Sequence, residues 1–341
     1  MRNEEVRVGV VGGGYWGPNL MRNFRGLPAC RLAAICDKNP ARLQHLSGLY
    51  PDARTSQSLN AMLSEDDLDA LAIATPVNTH HLLAKRALEA GKHVFIEKPM
   101  ASSSQECEDL VATAADRNLT LMVGHTFLYA SAVRMMKEII GSGGIGDIRY
   151  ISSRRLNLGL FQKDINVAWD LAPHDISIIL YLMDESPVAV NCQGVSNVTP
   201  GIEDVCSLSL AFASGRFACI QSSWLDPRKV RDMTIVGTRK MILYDDIEPQ
   251  QKIRIYDQRV EVPPHYETFG EFQYAYHYGD VLAPYIKQEE PLKVECQHFL
   301  DSIRNGRKPL TDGTQGAQLV RILEAASESL RRAGERVRLP A

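Results

Sequence analysis

The sequence predicts an α/β chain: an N-terminal doubly wound parallel sheet, then an α+β domain with a large open, mostly antiparallel sheet. Three observations predict it. The first third alternates short apolar runs with segments of helical period, the pattern of parallel strands joined by crossover helices. A glycine-rich turn, Gly12-Gly13-Gly14-Tyr15-Trp16-Gly17, follows the first apolar run. Beyond Gly124 strand-like segments succeed one another with little helix between them, which implies antiparallel pairing rather than further βαβ units.

In order, residues 6–11 read as a strand, 15–26 as a helix, 31–36 as a second strand, and 66–74 as a segment containing a third. Residues 80–90 carry leucines and alanines on one side of a helix that Gly91 stops. Residues 93–96 return to strand, 102–117 form a helix opened by a Ser-x-x-Gln capping box, and 119–123 form another strand. The second domain begins at residue 125 and has one helix near 170–183. Strands follow at 188–198, 204–213, 216–224, 233–236 and 240–244, with Ser214-Gly215 and Gly237-Thr238 as tight turns. Two helices, near 294–305 and 314–333, close the chain and are expected to pack back on the first domain.

A length of 341 residues suits two domains, here 1–124 and 125–341. With 45% hydrophobic and 23% charged residues the chain is an ordinary globular one. A net charge of −3 gives no electrostatic reason for nucleic acid or an anionic membrane as partner, though anionic small molecules stay open. The seven cysteines, Cys30, Cys36, Cys107, Cys192, Cys206, Cys219 and Cys296, show no C-x-x-C pair and no zinc spacing. Several lie in apolar runs and read as buried thiols in a reducing compartment. The N-terminus runs straight into a strand, and no run approaches a membrane span, so a cytoplasmic location is expected.

The glycine turn fits G-x-G-x-x-G between a strand and a helix. One glycine makes the turn, one admits a pyrophosphate, and one packs helix against strand, while the helix N-terminus faces the phosphates. Asp37 ends the second strand, 20 residues after Gly17, where a carboxylate accepts hydrogen bonds from an adenosine ribose. Together these predict a Rossmann-type dinucleotide site through Gly12, Gly14, Tyr15, Trp16, Gly17 and Asp37. Asp37 would repel a 2′-phosphate, which favours NAD over NADP; the adjacent Lys38 works against that preference.

Three further segments carry chemistry. Ala74-Thr75-Pro76-Val77-Asn78-Thr79-His80 and Phe95-Ile96-Glu97-Lys98-Pro99 each follow a buried strand, at the carboxyl edge of the sheet where ligands bind in such folds. Trp169-Asp170-Leu171-Ala172-Pro173-His174-Asp175 opens the helix of the second domain. With the glycine loop, Thr-Pro-x-Asn-x-x-His, Glu-Lys-Pro and Asp-x-x-x-His in this order, the chain resembles the Gfo/Idh/MocA family of glucose-fructose and inositol dehydrogenase relatives nearly end to end. The resemblance implies a Rossmann domain and a second domain whose open sheet supports homodimers or homotetramers. It also implies hydride exchange between a sugar or polyol carbon and a nicotinamide. One departure is that many relatives have a glycine pair shortly before Asp-x-x-x-His, where this chain has Asp164-Ile165-Asn166-Val167-Ala168-Trp169.

Removing hydride from a secondary alcohol needs a base for the hydroxyl proton and a donor for the developing oxyanion. Asp170 and His174 are four apart and share a helix face. His174 is the candidate base and Asp170 orients substrate or imidazole, though Asp170 also suits a helix N-cap. Lys98 is the candidate oxyanion donor. Glu97 contacts the nicotinamide end, and Thr75, Pro76, Asn78, His80 and His125 are further cofactor-side candidates; His80 reads equally as a helix-start residue. Asp175 reads as a structural ion-pair partner. Pro99 leaves a cis or trans Lys98-Pro99 bond open. With no third ligand near Asp170 and His174, no metal is expected.

The second domain resembles the branch of the family linked to nucleotide-sugar biosynthesis, on Arg154-Arg155-Leu156-Asn157, the Trp169–Asp175 segment, and Trp224-Leu225-Asp226-Pro227-Arg228-Lys229-Val230-Arg231. Arg154, Arg155, Lys229 and Arg231 are candidates to pair with a diphosphate, or else basic residues of a solvated or subunit-facing sheet. The implied reaction oxidises C3 of a UDP-linked amino sugar to the 3-keto sugar. Dehydrogenation of a free sugar or polyol such as inositol, reduction of a keto sugar, and NAD binding by a non-catalytic regulator are the alternatives.

Overall fold

The computed structural model describes residues 5–64, 67–261 and 275–340. Its contacts divide the chain into two compact units, Met1–Tyr129 with Glu289–Glu324, and Ala130–Gln288 with Ala325–Ala341. The first unit thus takes in both the N-terminal segment and most of the closing helical region.

The first unit runs β1 (Val6–Val11), α1 (Gly17–Arg25), β2 (Cys30–Cys36), α2 (Pro40–Leu49), β3 (Arg54–Ser56), α3 (Leu59–Leu63), β4 (Ala70–Ile73), α4 (His80–Glu89), β5 (His93–Glu97), α5 (Ser104–Asp116) and β6 (Leu121–Gly124). All six strands are parallel, in the order β3-β2-β1-β4-β5-β6. The order reverses at β1, which sets the glycine turn after β1 beside the end of β4, the place where doubly wound sheets bind ligands. β1, β4 and β5 are near-continuous apolar runs because both faces of this sheet are covered. Phe24, Phe95 and Phe299 meet edge to face with centroids 5.7 to 6.3 Å apart, joining α1, β5 and the later helix α8 (Pro291–Asn305) in one core.

The second unit contains α6 (Ser131–Gly141), β7 (Ile148–Leu158), α7 (Val167–Met183), β8 (Pro187–Val195), β9 (Val205–Phe212), β10 (Phe217–Ser223), β11 (Leu225–Gly237), β12 (Met241–Asp245), β13 (Ile253–Glu261) and β14 (Ala275–Leu282). β15 (Val337–Arg338) follows α9 (Gly313–Arg331). The nine strands are ordered β14-β13-β12-β11-β7-β10-β9-β8-β15. β7 and β10 pair parallel, and the remaining pairs are antiparallel. α7 lies on β7, β9 and β10, and β9 alternates buried with less buried residues, as expected for a sheet with one covered face.

The sequence reading differs from the structure in identifiable ways. α1 begins at Gly17 rather than Tyr15, with Trp16 as its N-cap. The third expected strand is β4, four residues long, and the expected start, Asp66, lies outside the described residues. The capping serine of α5 is Ser103, whose side chain accepts from the Glu106 amide, while the Glu106 carboxylate accepts from the Ser102 amide. The box is therefore Ser-x-x-Glu, one residue later than the expected Ser-x-x-Gln. α7 begins at Val167 and Asn166 caps it by accepting from the Trp169 amide, so Asp170 is not the N-cap. α6 was not expected; its Val133 and Met136 are buried at helical spacing. The Lys98–Pro99 bond is cis.

Candidate active site

In the first unit the glycine turn is shaped by close approaches. Gly12 has φ of +100°, and a Cβ there would lie 2.5 Å from the Ala74 carbonyl oxygen. A Cβ on Gly17 would fall 1.8 Å from the Gly12 carbonyl oxygen, so only glycine lets α1 start against the turn. Nothing lies within 4 Å of a Cβ position on Gly14, so that side of its backbone is open. The Asp37 carboxylate grips this loop: Gly13 N–H donates to Oδ2 at 2.6 Å and Asn39 N–H to Oδ1 at 2.8 Å. From α2, Arg42 donates to the Gly13 carbonyl and, at 3.0 Å, to the Gly14 carbonyl. Arg42 was not foreseen, because nothing in its helical segment separates a loop-binding arginine from a solvated one. The cradle suits a dinucleotide: an open glycine backbone, the amino end of a helix and a fixed carboxylate one strand away.

Along the same sheet edge, β4 and β5 place Thr75 and Lys98. The Thr75 and Thr79 hydroxyls share a hydrogen bond of 2.7 Å, while Pro76 and Asn78 are exposed. His80 is buried at the start of α4, with Nδ1 at 2.9 Å from the Pro99 carbonyl and Nε2 at 2.8 Å from the Thr75 carbonyl. Its ring ties the Thr75 and Lys98-Pro99 turns together rather than facing outward, and burial lowers its pKa.

Glu97, buried at the end of β5, accepts from Trp16 Nε1–H at 2.6 Å and from the Lys98 amide at 3.3 Å. Burial pushes its carboxyl up to about 7, against the opposing pull of the Lys98 charge. His125 is buried with both ring nitrogens unpartnered among the described residues. Burial, with Lys98 nearby, pushes it down to about 3, so its imidazole is neutral. Sequence reasoning missed Glu295 on α8. It is completely buried, its Oε2 accepts from Thr126 Oγ1 at 2.7 Å, and burial beside Glu97 holds it well above the usual carboxyl range. The available signal was spacing: Glu295 stands with Leu292 and Phe299 in the buried stripe of its helix.

In the second unit α7 presents Asp170 and His174, both half-buried, one turn apart. Trp224, at the end of β10 and only 1% exposed, donates from Nε1 to Asp170 Oδ2 at 3.0 Å and packs against Phe161. The signal in the sequence is that a tryptophan closing an apolar strand needs an acceptor for its buried N–H. Asp175 points the other way. It accepts from Arg155 Nε at 2.6 Å and from Ser153 Oγ at 2.6 Å, a buried ion pair that fixes α7 on β7.

The four expected diphosphate cations are not brought together as one cluster. Successive residues of β7 face opposite sides: Arg155 is buried under α7, whereas exposed Arg154 pairs with Asp232 on the other face. Arg231 pairs with Asp246 at 3.6 Å, and Lys229 is exposed on β11.

Residues 6–125 match the description "Oxidoreductase family, NAD-binding Rossmann fold", and residues 133–243 match the C-terminal domain of the same family. The chain belongs to the Gfo/Idh/MocA family of oxidoreductases. One relative is the UDP-N-acetylglucosamine 3-dehydrogenase of Acidithiobacillus ferrooxidans, 28% identical over 336 residues, covering 94% of this chain and 95% of that protein. Its solved structure superimposes with a TM-score of 0.79 at 25% identity, covering 96% of this chain and 98% of that one. The inositol 2-dehydrogenase of Rhizobium meliloti is 25% identical over 341 residues, covering 95% and 97%. This Gfo/Idh/MocA protein is therefore an NAD-binding oxidoreductase of a sugar-processing family. Among the described residues no group of three or more His, Cys, Asp or Glu could hold a metal ion, and no helix is long and apolar enough to cross a membrane.

Proposed function

We propose that the protein is an NAD-dependent dehydrogenase that oxidises C3 of a UDP-linked amino sugar to the 3-keto sugar. The observation that carries the reading is the Asp170–His174 face of α7, with the Asp170 carboxylate fixed by Trp224. His174 takes the proton of the reacting hydroxyl, and Asp170 holds the sugar or the imidazole in place. Lys98 donates to the carbinol oxygen and stabilises it as it gains negative charge. Gly12, Gly14, Tyr15, Trp16, Gly17, Asp37, Thr75, Pro76, Asn78, Glu97 and His125 hold the cofactor, with His80 bracing two of its turns. NAD, when bound, supplies the hydride acceptor. Asp37 selects it over NADP, because a 2′-phosphate beside a carboxylate already bonded to two backbone amides meets uncompensated repulsion.

The choice of a UDP sugar is supported by the likeness to the 3-dehydrogenase and by the exposed cation Lys229. One observation favours a free polyol instead: Arg154, Arg155 and Arg231 already have carboxylate partners, so little cationic charge is left for a diphosphate. Assembly of copies through the nine-stranded sheet is supported by exposed tyrosines on its edge strand, Tyr276 and Tyr278. Seven free thiols support a cytoplasmic setting. The test is incubation with NAD and a panel of nucleotide sugars and free polyols, read by reduced-nicotinamide absorbance and product mass. The account predicts a 3-keto UDP sugar; turnover of polyols alone would transfer the reading to the inositol type.

A further inference from the structure

Glu97 and Glu295 are two buried carboxyls of the first unit. Glu97 folds its carboxyl against Gly124, where a Cβ would lie 3.0 Å from its Oε1 and 3.1 Å from its Cδ. Two residues further along, Thr126 holds Glu295 from the same stretch of chain. The donors are unequally shared. Glu97 receives two N–H groups, from the Trp16 indole and the Lys98 amide, and feels the Lys98 charge. Glu295 receives one hydroxyl on Oε2, and its Oε1 is buried with no partner among the described residues. His125, next to Thr126 in the chain, is kept neutral by burial, and the Cys296 thiol beside Glu295 on α8 is pushed well up by burial and by the two carboxyls. A naked carboxylate oxygen in such a place costs far more than a carboxylic acid, and two neighbouring buried carboxyls do not both ionise.

We propose that Glu97 and Glu295 form a carboxyl pair holding one negative charge, in which Glu295 keeps the proton and, as a positioning residue, fixes the charge on Glu97. With that charge at the nicotinamide side of the site, the pair discriminates the cationic oxidised cofactor from the neutral reduced one. This last step rests on the cofactor placement given under Proposed function; the pair itself does not. Protonation of Glu97, whose carboxyl lies at about 7, removes the discrimination as pH falls.

The test begins with infrared spectroscopy of the cofactor-free protein. At pH 8 the wild type should show a carboxylic-acid C=O band that Glu295→Gln loses and Glu97→Gln retains. That band should shift as wild-type protein is titrated through neutrality and stay still in Glu97→Gln. Absence of a Glu295-dependent acid band, or a band indifferent to the state of Glu97, would overturn the pair. Should Glu295→Gln fail to fold, Thr126→Val removes only the hydroxyl donor and must shift the same band; an unmoved band is again the overturning result. Cofactor titrations then read the function. The ratio of oxidised to reduced cofactor affinity should fall as pH drops through the midpoint, with a steepest slope of about tenfold per pH unit. A flat ratio with the infrared signatures intact overturns the nicotinamide placement and leaves the carboxyl pair standing.

Discussion

The indole N–H of Trp224 donates to the carboxylate of Asp170 across 3.0 Å, and Trp224 is itself sealed from solvent. The bond ties the end of β10 to the first turn of α7, one turn before His174. Trp224→Phe keeps the apolar bulk and removes the donor. A lost hydrogen bond to a charged group is worth about 1.5–3 kcal/mol, or roughly tenfold to hundredfold in rate. We expect kcat/KM for the sugar to fall by that factor with NAD affinity retained, as steady-state kinetics and cofactor titration would show.

Lys98→Met should remove the oxyanion donor while leaving the glycine cradle untouched. Loss of one such donor lowers kcat by roughly a hundredfold to a thousandfold. NAD should still bind, as followed by calorimetry. A protein acting only as an NAD-responsive regulator would keep its partner binding in this variant.

Asp37→Ser removes the acceptor that holds Gly13 N–H at 2.6 Å and Asn39 N–H at 2.8 Å. NAD affinity should drop by about tenfold, the value of one hydrogen bond to a charged group. NADP should gain relative to NAD in parallel titrations, since the repelling carboxylate is gone.

Asp175→Ala takes from Arg155, 5% exposed beneath α7, the carboxylate bonded to it at 2.6 Å. Breaking one side of a buried pair costs about 3–5 kcal/mol. Chemical denaturation should show that loss in the transition of the second unit. Replacing both partners with apolar residues should restore much of it.

His125 predicts part of the acid sensitivity. Its folded pKa is depressed to about 3, whereas an unfolded histidine protonates near 6.5. The unfolded state therefore binds the extra proton between those values, so this contribution to stability is present above about 6.5 and lost as pH falls toward 3. Glu97, raised to about 7, acts in the opposite sense: its contribution declines as pH rises from the ordinary carboxyl range. His125→Gln should flatten the acid limb in denaturation midpoints measured across pH 7 to 4. An unchanged limb would contradict the buried neutral imidazole.

Much of this architecture was legible because it depends on local chemistry. The glycine turn, the apolar runs of β1, β4 and β5, and the helical spacing of Asp170 and His174 each declare themselves in a few residues. What escaped is long-range. Glu295 reaches Thr126 across 169 residues and Trp224 reaches Asp170 across 54, and no short window of sequence contains either pairing. The diphosphate cluster failed for a related reason: neighbouring Arg154 and Arg155 look like one patch in sequence, yet a strand sends them to opposite faces. The helical period of α6 is masked because apolar Phe127-Leu128-Tyr129-Ala130 runs directly into it.

The proposed reaction is hydride transfer from a sugar carbinol to nicotinamide, assisted by Lys98 and His174. The most direct measurement uses UDP-N-acetylglucosamine deuterated at C3, with NAD and purified protein, followed by mass spectrometry of the recovered cofactor. The account predicts deuterium in the reduced nicotinamide, together with a 3-keto sugar, and neither in Lys98→Met. Reduced cofactor without deuterium, or no reduction by any C3-labelled sugar or polyol of the panel, would contradict it.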